Sequence, residues 1–344
     1  MNPFPVAALV ALLCLPVPAA AQEPPMPSPG QPPQGQPPLG QPPSGMPAPS
    51  PATGVCTVYG PVLGPTDFGV AAGEVLADTS GIRLADGRVR LYTFAQGRGI
   101  VSAVSITAEA LAFAAEPGAR LPDGSGMPRV VGLPDGRVRL FFTSGGGIKS
   151  ATSADGRTFA IEPGFRITAE AAGFGSTTAR ATSGATVARL ADGRYRMYFS
   201  DLPRPGDPPG NHLVKSAVSS DMLTWTMEPG VRLGTGAPVL IGSAEHPFAL
   251  PNPDGSVTLY HGKFGAEGGA PEGLYQSTSI DGLRFEHEML AVFFGNDPDA
   301  LRLADGTLLL YYGGFDPQVG GTINVARCPD PAGPTRLRQG ASRR

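Results

Sequence analysis

Five Asp-Gly pairs punctuate this sequence, and acidic and basic side chains collect at one fixed distance ahead of them. The pairs are Asp86-Gly87, Asp135-Gly136, Asp192-Gly193, Asp254-Gly255 and Asp305-Gly306. Eight residues before each Asp stand Asp78, Met127, Gly184, His246 and Asp297. Six residues before stand Ser80, Arg129, Thr186, Phe248 and Asp299, and Glu245 precedes His246. Side chains two apart on a strand share a face, so both sets face one way if either does. Such a ring is too polar for packing alone. Carboxyl groups beside a histidine and an arginine suit proton transfer or the grip of a small polar ligand.

Hairpins must position these residues. An apolar strand leads into each Asp-Gly, and an alternating strand with an aromatic end follows: Arg88 to Tyr92, Arg137 to Phe141, Arg194 to Tyr198, Ser256 to Tyr260 and Thr307 to Tyr311. Asp-Gly between alternating strands is a strong hairpin signal, because the turn needs positive φ. The period of roughly fifty to sixty residues fits four-stranded propeller blades. A second repeat keeps the same register: Ser153 to Phe159, Ser219 to Trp225 and Ser279 to Phe285 share Ser-x-Asp-x-x-x-aromatic, with a degenerate version at Ser105 to Phe113. Its Asp should accept turn hydrogen bonds and its ring should pack between blades.

The expected fold is all-β, a five-bladed β-propeller over 55–329. The fifth blade runs out at Cys328, and the strand-like stretch Val55 to Leu63 can supply its missing outer strand. That places Cys56 beside Cys328, the two cysteines left once Cys14 departs with a signal peptide. A disulfide there encloses nearly the whole domain. Both repeated turns then lie on the bottom of the propeller and the long irregular loops on top, where a binding surface belongs.

The ends differ from the middle. Val6 to Leu15 is a short apolar run, broken by Pro16 and Pro18 and followed by Ala19-Ala20-Ala21. This reads as a signal peptide over 1–21, with no stable membrane insertion after cleavage and a secreted or periplasmic destination. The repeated Gly-Gln-Pro-Pro of 22–54 reads as a disordered Pro/Gly/Gln-rich linker, and 330–344 as a disordered basic tail. Net charge is −3 with acids and bases interspersed, which excludes a nucleic-acid footprint. His246 and His261 lack a metal-ligand spacing, so neither a metal nor a cofactor is expected. Oligomeric state is not legible.

The residues bear a family likeness. The chain resembles the five-bladed glycosidase propellers of glycoside hydrolase families 32 and 43, the invertases, arabinanases and xylosidases. Asn296-Asp297-Pro298-Asp299 is similar to the box carrying the invertase nucleophile, and Glu245-His246-Pro247 to the Glu-x-Pro segment that supplies the acid. Asp78 opens the first inner strand, where family 43 places its base. The Ser-x-Asp turns resemble sialidase Asp-boxes, one residue shorter than the usual form. A sialidase would need three arginines against its substrate, and only Arg129 stands in the ring.

This likeness implies a glycan ligand, catalytic roles for Asp78, Glu245 and Asp297, and substrate contacts from Arg129, His246, His261, Asp299 and Phe315. Glycosidic hydrolysis needs one carboxyl group to protonate the leaving oxygen and another to attack or to activate water. In the families the chain order is base, modulator, acid; here Glu245, Asp297 and Asp78 run the other way round. Two readings therefore stand: a glycoside hydrolase-like protein, or a non-catalytic propeller that binds glycan or protein.

Overall fold

The computed structural model describes residues 55–174, 181–202, 212–234, 237, 244–263 and 272–330. The expected signal peptide, linker and basic tail beyond Asp330 lie outside these residues. The chain opens with β1 (Thr57–Leu63). Blade I is β2 (Leu76–Arg83), β3 (Val89–Ala95), β4 (Gly99–Ser105) and β5 (Phe113–Ala115). Blade II is β6 (Gly126–Gly132), β7 (Val138–Ser144) and β8 (Gly147–Ser153), with the short β9 (Ala160–Ile161) and β10 (Ile167–Thr168) both on β8. Blade III is β11 (Ala181–Arg189), β12 (Tyr195–Leu202) and β13 (Leu213–Ser219), flanked by β14 (Thr226–Met227) and β15 (Leu233–Gly234). Blade IV is β16 (Glu245–Pro251), β17 (Val257–Lys263), β18 (Gly273–Ser279) and β19 (Glu286–Phe293). Blade V joins β20 (Asn296–Arg302), β21 (Leu308–Asp316) and β22 (Gly320–Cys328) to β1. The inner strands β2, β6, β11, β16 and β20 neighbour one another in a closed ring. The fold is the expected five-bladed β-propeller, its last blade completed from the N-terminal side.

The repeats work as packing units. Five apolar clusters fill the five junctions between blades, among them Tyr92, Ile100 and Leu140 between I and II, and Ala188, Leu233 and Leu259 between III and IV. Each Asp-Gly hairpin is closed by a bond such as Gly87 N to Leu84 O, 3.0 Å, and only its glycine takes positive φ, 88° at Gly87. The loop is thus a turn followed by a left-handed glycine, and the Asp caps the next strand through its carboxylate, as Asp86 does for Arg88 N. In the Ser-x-Asp turns, Asp155 Oδ1 accepts Arg157 N and Thr158 N, both at 2.8 Å. The turn aromatics pack edge-on against the preceding blade: Phe159 on Tyr92, Trp225 on Phe141, Phe285 on Tyr198. Tyr92 and Tyr198 donate onward to Gly156 O and Gly282 O in those same turns.

The junction from IV to V lacks such a turn, because the outer strand of blade V comes from the other end of the chain. There Tyr260 packs in one cluster with Cys56 and Cys328, which form a disulfide across 272 residues of sequence. Cys56 N also donates to Ala291 O, tying the start of the domain to blade IV. Arg302 completes the closure, holding Asp330 at 2.8 Å and reaching Pro251 O and Asn252 Oδ1.

A covalent link replacing a turn contact should carry much of the ring's stability. Cys56→Ser/Cys328→Ser should lose on the order of 5 kcal/mol, the chain-entropy value for so long a loop. Guanidinium unfolding with and without reductant measures it; variant and oxidised wild type sharing one midpoint would show that the closure is held by packing alone.

Candidate functional site

The top of every inner strand carries the same irregularity. Pairing with the second strand shifts by one residue between Ala77 and Ser80, Gly126 and Arg129, Ser183 and Thr186, Glu245 and Phe248, and Asn296 and Asp299. Inside each of these bulges one residue is left-handed: Asp78 (φ 58°), Met127 (50°), Gly184 (60°), His246 (47°) and Asp297 (53°). These are the five residues found by counting back from Asp-Gly. A left-handed side-chain-bearing residue costs about 1–3 kcal/mol and persists only where the surroundings fix it. Four such residues in one ring mark a built place.

Three of the five are ionisable and sit on adjacent blades. Asp78, His246 and Asp297 each offer a donor atom, all within 4.8 Å of one another. All three side chains are buried. His246 Nδ1 is in direct contact with Asp297 Oδ1, and Asn296 Nδ2 lies 3.3 Å from the same nitrogen. A carboxylate oxygen of Asp78 lies within 4.8 Å of one on Asp297. Room for the imidazole comes from Gly184, where a Cβ would stand 3.1 Å from His246 Cα.

Burial and the neighbouring Asp297 push the Asp78 carboxyl up to about 7, against the pull of His246 and Arg129. Burial also acts to raise Asp297, but His246 and then Arg129 outweigh it and hold that carboxyl below its usual range. Burial opposes charge on His246, yet Asp297, Glu245 and Asp78 together lift it to about 9. Near neutrality the centre is an ionised Asp297 between an imidazolium and a carboxyl close to its own midpoint. It can give or take a proton, hydrogen-bond a polyhydroxylated ligand, or, with two carboxylates and one imidazole, ligate a divalent cation. The histidine pairing weighed from sequence, His246 with His261, is not the set that could hold one.

Glu245 stands beside this centre and faces a second histidine. Its Oε2 is 3.7 Å from His212 Nε2, and His212 Nδ1 is 3.7 Å from Asp201 Oδ1. Burial works against charge on His212, but Asp201 and Glu245 prevail and raise it. A second carboxylate–imidazole group thus adjoins the first through Glu245 and His246. Neither Asp201 nor His212 was visible as a site residue in the sequence; they end β12 and begin β13, flanking a connection that carries no repeat. Asn296 was visible only as part of its box.

The other expected contacts scatter. Asp299 turns to blade I, where its Oδ2 accepts Gly81 N at 2.8 Å. Ser80 likewise accepts Val130 N, and Thr186 accepts Ala249 N. The residues six before Asp thus tie three inner strands to the next blade. His261 is fully buried inside blade IV, stacked on Tyr275, with Nε2 3.4 Å from Ser277 Oγ and 3.6 Å from Glu288 Oε1. Burial and then Lys263 push it down to about 3, so it stays neutral. Phe315 is 60% exposed at the upper end of β21. Arg129 is buried, with its guanidinium bonded to Thr79 O at 2.8 Å, Pro128 O at 3.0 Å and Pro298 O at 3.3 Å.

Solved structures share this architecture. A thermostable family-43 glycoside hydrolase matches with TM-score 0.56 and 16% identity, over 79% of this chain and 98% of its own. An endo-arabinase from Bacteroides thetaiotaomicron matches with TM-score 0.57 and 15% identity, over 76% and 95%. An α-L-arabinofuranosidase from Clostridium thermocellum matches with TM-score 0.54 and 15% identity, over 73% and 89%. The likeness is one of fold. No family model matches the sequence, and no curated protein does.

The Asp299 tie has a pH signature. Burial lifts its carboxyl to about 6, with Arg129, Ser80 and Gly81 N opposing. A carboxyl that holds its proton more tightly folded than unfolded adds stability below about pH 4 and loses it as pH rises through about 6. Asp299→Asn keeps the acceptor without the charge, so its stability relative to wild type should climb between about pH 5 and about pH 8, by on the order of 1 kcal/mol. Denaturant midpoints at both pH values test this; a constant difference would mean that Asp299 titrates normally.

Proposed function

We propose that this chain is an exported carbohydrate-active protein of the glycoside hydrolase type, working at the top mouth of its channel. One observation carries the proposal: the ionisable left-handed residues fall on three consecutive blades and converge on one buried spot. Asp297, kept ionised by His246, supplies the carboxylate that attacks the anomeric carbon or activates water. Asp78 shares a proton with it, and the two titrate as a unit. Glu245, one residue before His246, donates the proton to the leaving oxygen. Phe315 offers an exposed ring on the same face for stacking on a sugar. The arabinan-directed names of two structural neighbours point to plant-type polysaccharide as the first glycan to try.

Export is supported by the apolar run ahead of Ala19-Ala20-Ala21 and by a disulfide, which persists in an oxidising compartment. No helix among the described residues is long and apolar enough to cross a membrane. We place the folded domain in the periplasm or outside the cell, at the end of a Pro-rich linker.

The close approach of Asp78 to Asp297 favours a second reading. Retaining glycosidases hold their two carboxyl groups about 5–5.5 Å apart, and inverting ones further. Oxygens within 4.8 Å of each other are closer than either spacing, which suits a propeller that binds glycan without cutting it.

Rates on aryl-glycosides and arabinan decide between the two. Asp297→Asn and Glu245→Gln should each slow hydrolysis about 10²- to 10⁴-fold. Wild type and both variants releasing product equally would end the hydrolase reading. Glycan binding by calorimetry that is lost in Asp297→Asn, with no cleavage by wild type, would establish the second.

A further inference from the structure

Arg129 breaks the rule of its own position. Ser80, Thr186 and Asp299, at the equivalent place in blades I, III and V, each reach forward to a main-chain N–H of the next blade. Arg129, in blade II, turns back instead. Its three hydrogen bonds go to Thr79 O, Pro128 O and Pro298 O. Each of those carbonyls belongs to the residue directly after a left-handed one: Asp78, Met127 and Asp297. One guanidinium therefore grips the bulges of blades V, I and II at the same point of each.

We infer that Arg129 is a positioning residue, a clamp that fixes the direction in which Asp78 and Asp297 face each other. The inference rests on reading the channel mouth as the working site, and it replaces the substrate contact expected from sequence. A side chain 3% exposed, with both terminal nitrogens bonded to carbonyls, is poorly placed to receive a sugar. The type of residue matters. Only a planar fork can reach the carbonyls of two neighbouring blades at once, and a lysine ammonium is a point donor on a flexible stem.

Crystal structures of Arg129→Lys and Arg129→Met test the clamp. Arg129→Lys keeps the charge but loses the fork, and Arg129→Met loses both; in each, the bulges of blades V and I should part, with Asp78 and Asp297 turning away from each other while the rest of the propeller superposes unchanged. Either folded variant that holds Asp78 and Asp297 as in wild type overturns the inference; if Arg129→Met does not fold, Arg129→Lys decides alone. The comparison needs no substrate, so a wild-type protein that hydrolyses nothing would sink the proposed function and leave this result standing.

Discussion

A ring of five wedges has to close, and this closure is what the rest of the structure depends on. Four blades pack a second-strand aromatic against the turn of the blade that follows, and blade IV packs its own against the disulfide, so each junction is satisfied only if a next blade exists. A linear chain has a last blade with no successor and a first with no predecessor. Here β1 is pulled across to become the outer strand of blade V, and Cys56 and Cys328 are joined where a turn would have been. The Tyr311 hydroxyl then finds Ala110 O in blade I, as Tyr92 finds Gly156 O in blade II. Only a closed ring brings blades IV, V and I together at the channel mouth, and these are the blades that carry His246, Asp297 and Asp78.

The inner strands have a problem of their own. Each is a sheet edge facing the channel, with main-chain donors that must find acceptors. Short polar side chains six residues before the Asp-Gly meet that need at three junctions, and the bulge two residues earlier turns a side chain into the mouth. Bulges commonly re-aim side chains beside functional sites. Adjacent positions on one strand thus do different work: the lower ring holds the blades together and the upper ring presents chemistry.

Much of this was legible because the repeats are local. Asp-Gly fixes a hairpin within a few residues, so counting from it found all five left-handed positions, even Met127 and Gly184, which carry no charge to draw attention. The cysteines and the truncated last blade independently required the same closure. What failed was the assumption of a common face for the two rings. The extra residue in each bulge breaks the two-residue alternation, which is why Asp299 serves blade I rather than the mouth. His261 was misplaced for a similar reason: a polar residue in β17 looked accessible, but its neighbours Tyr275, Glu288 and Lys263 bury it within blade IV. His212 and Asp201 belong to contacts between the ends of two strands, and no periodic pattern encodes those.

The asymmetry of the upper ring bears on chemistry more than the fold does. A propeller offers five equivalent places, and sequence alone decides which are charged. Blades II and III contribute a thioether and a bare backbone, while blades IV, V and I contribute imidazole, acid and acid. Clustering charges on adjacent blades puts them within contact of one another, where they couple; spreading them across the ring would have kept them apart and ordinary. The cost is mutual repulsion and desolvation in a buried place, offset by His246 from one side and by Arg129 from below. A binding pocket needs only hydrogen-bonding groups, which neutral side chains supply without that penalty. Retaining two buried carboxyl groups whose proton affinities are driven apart is an arrangement that stability alone does not favour, and proton transfer is the use to which its physical properties are suited.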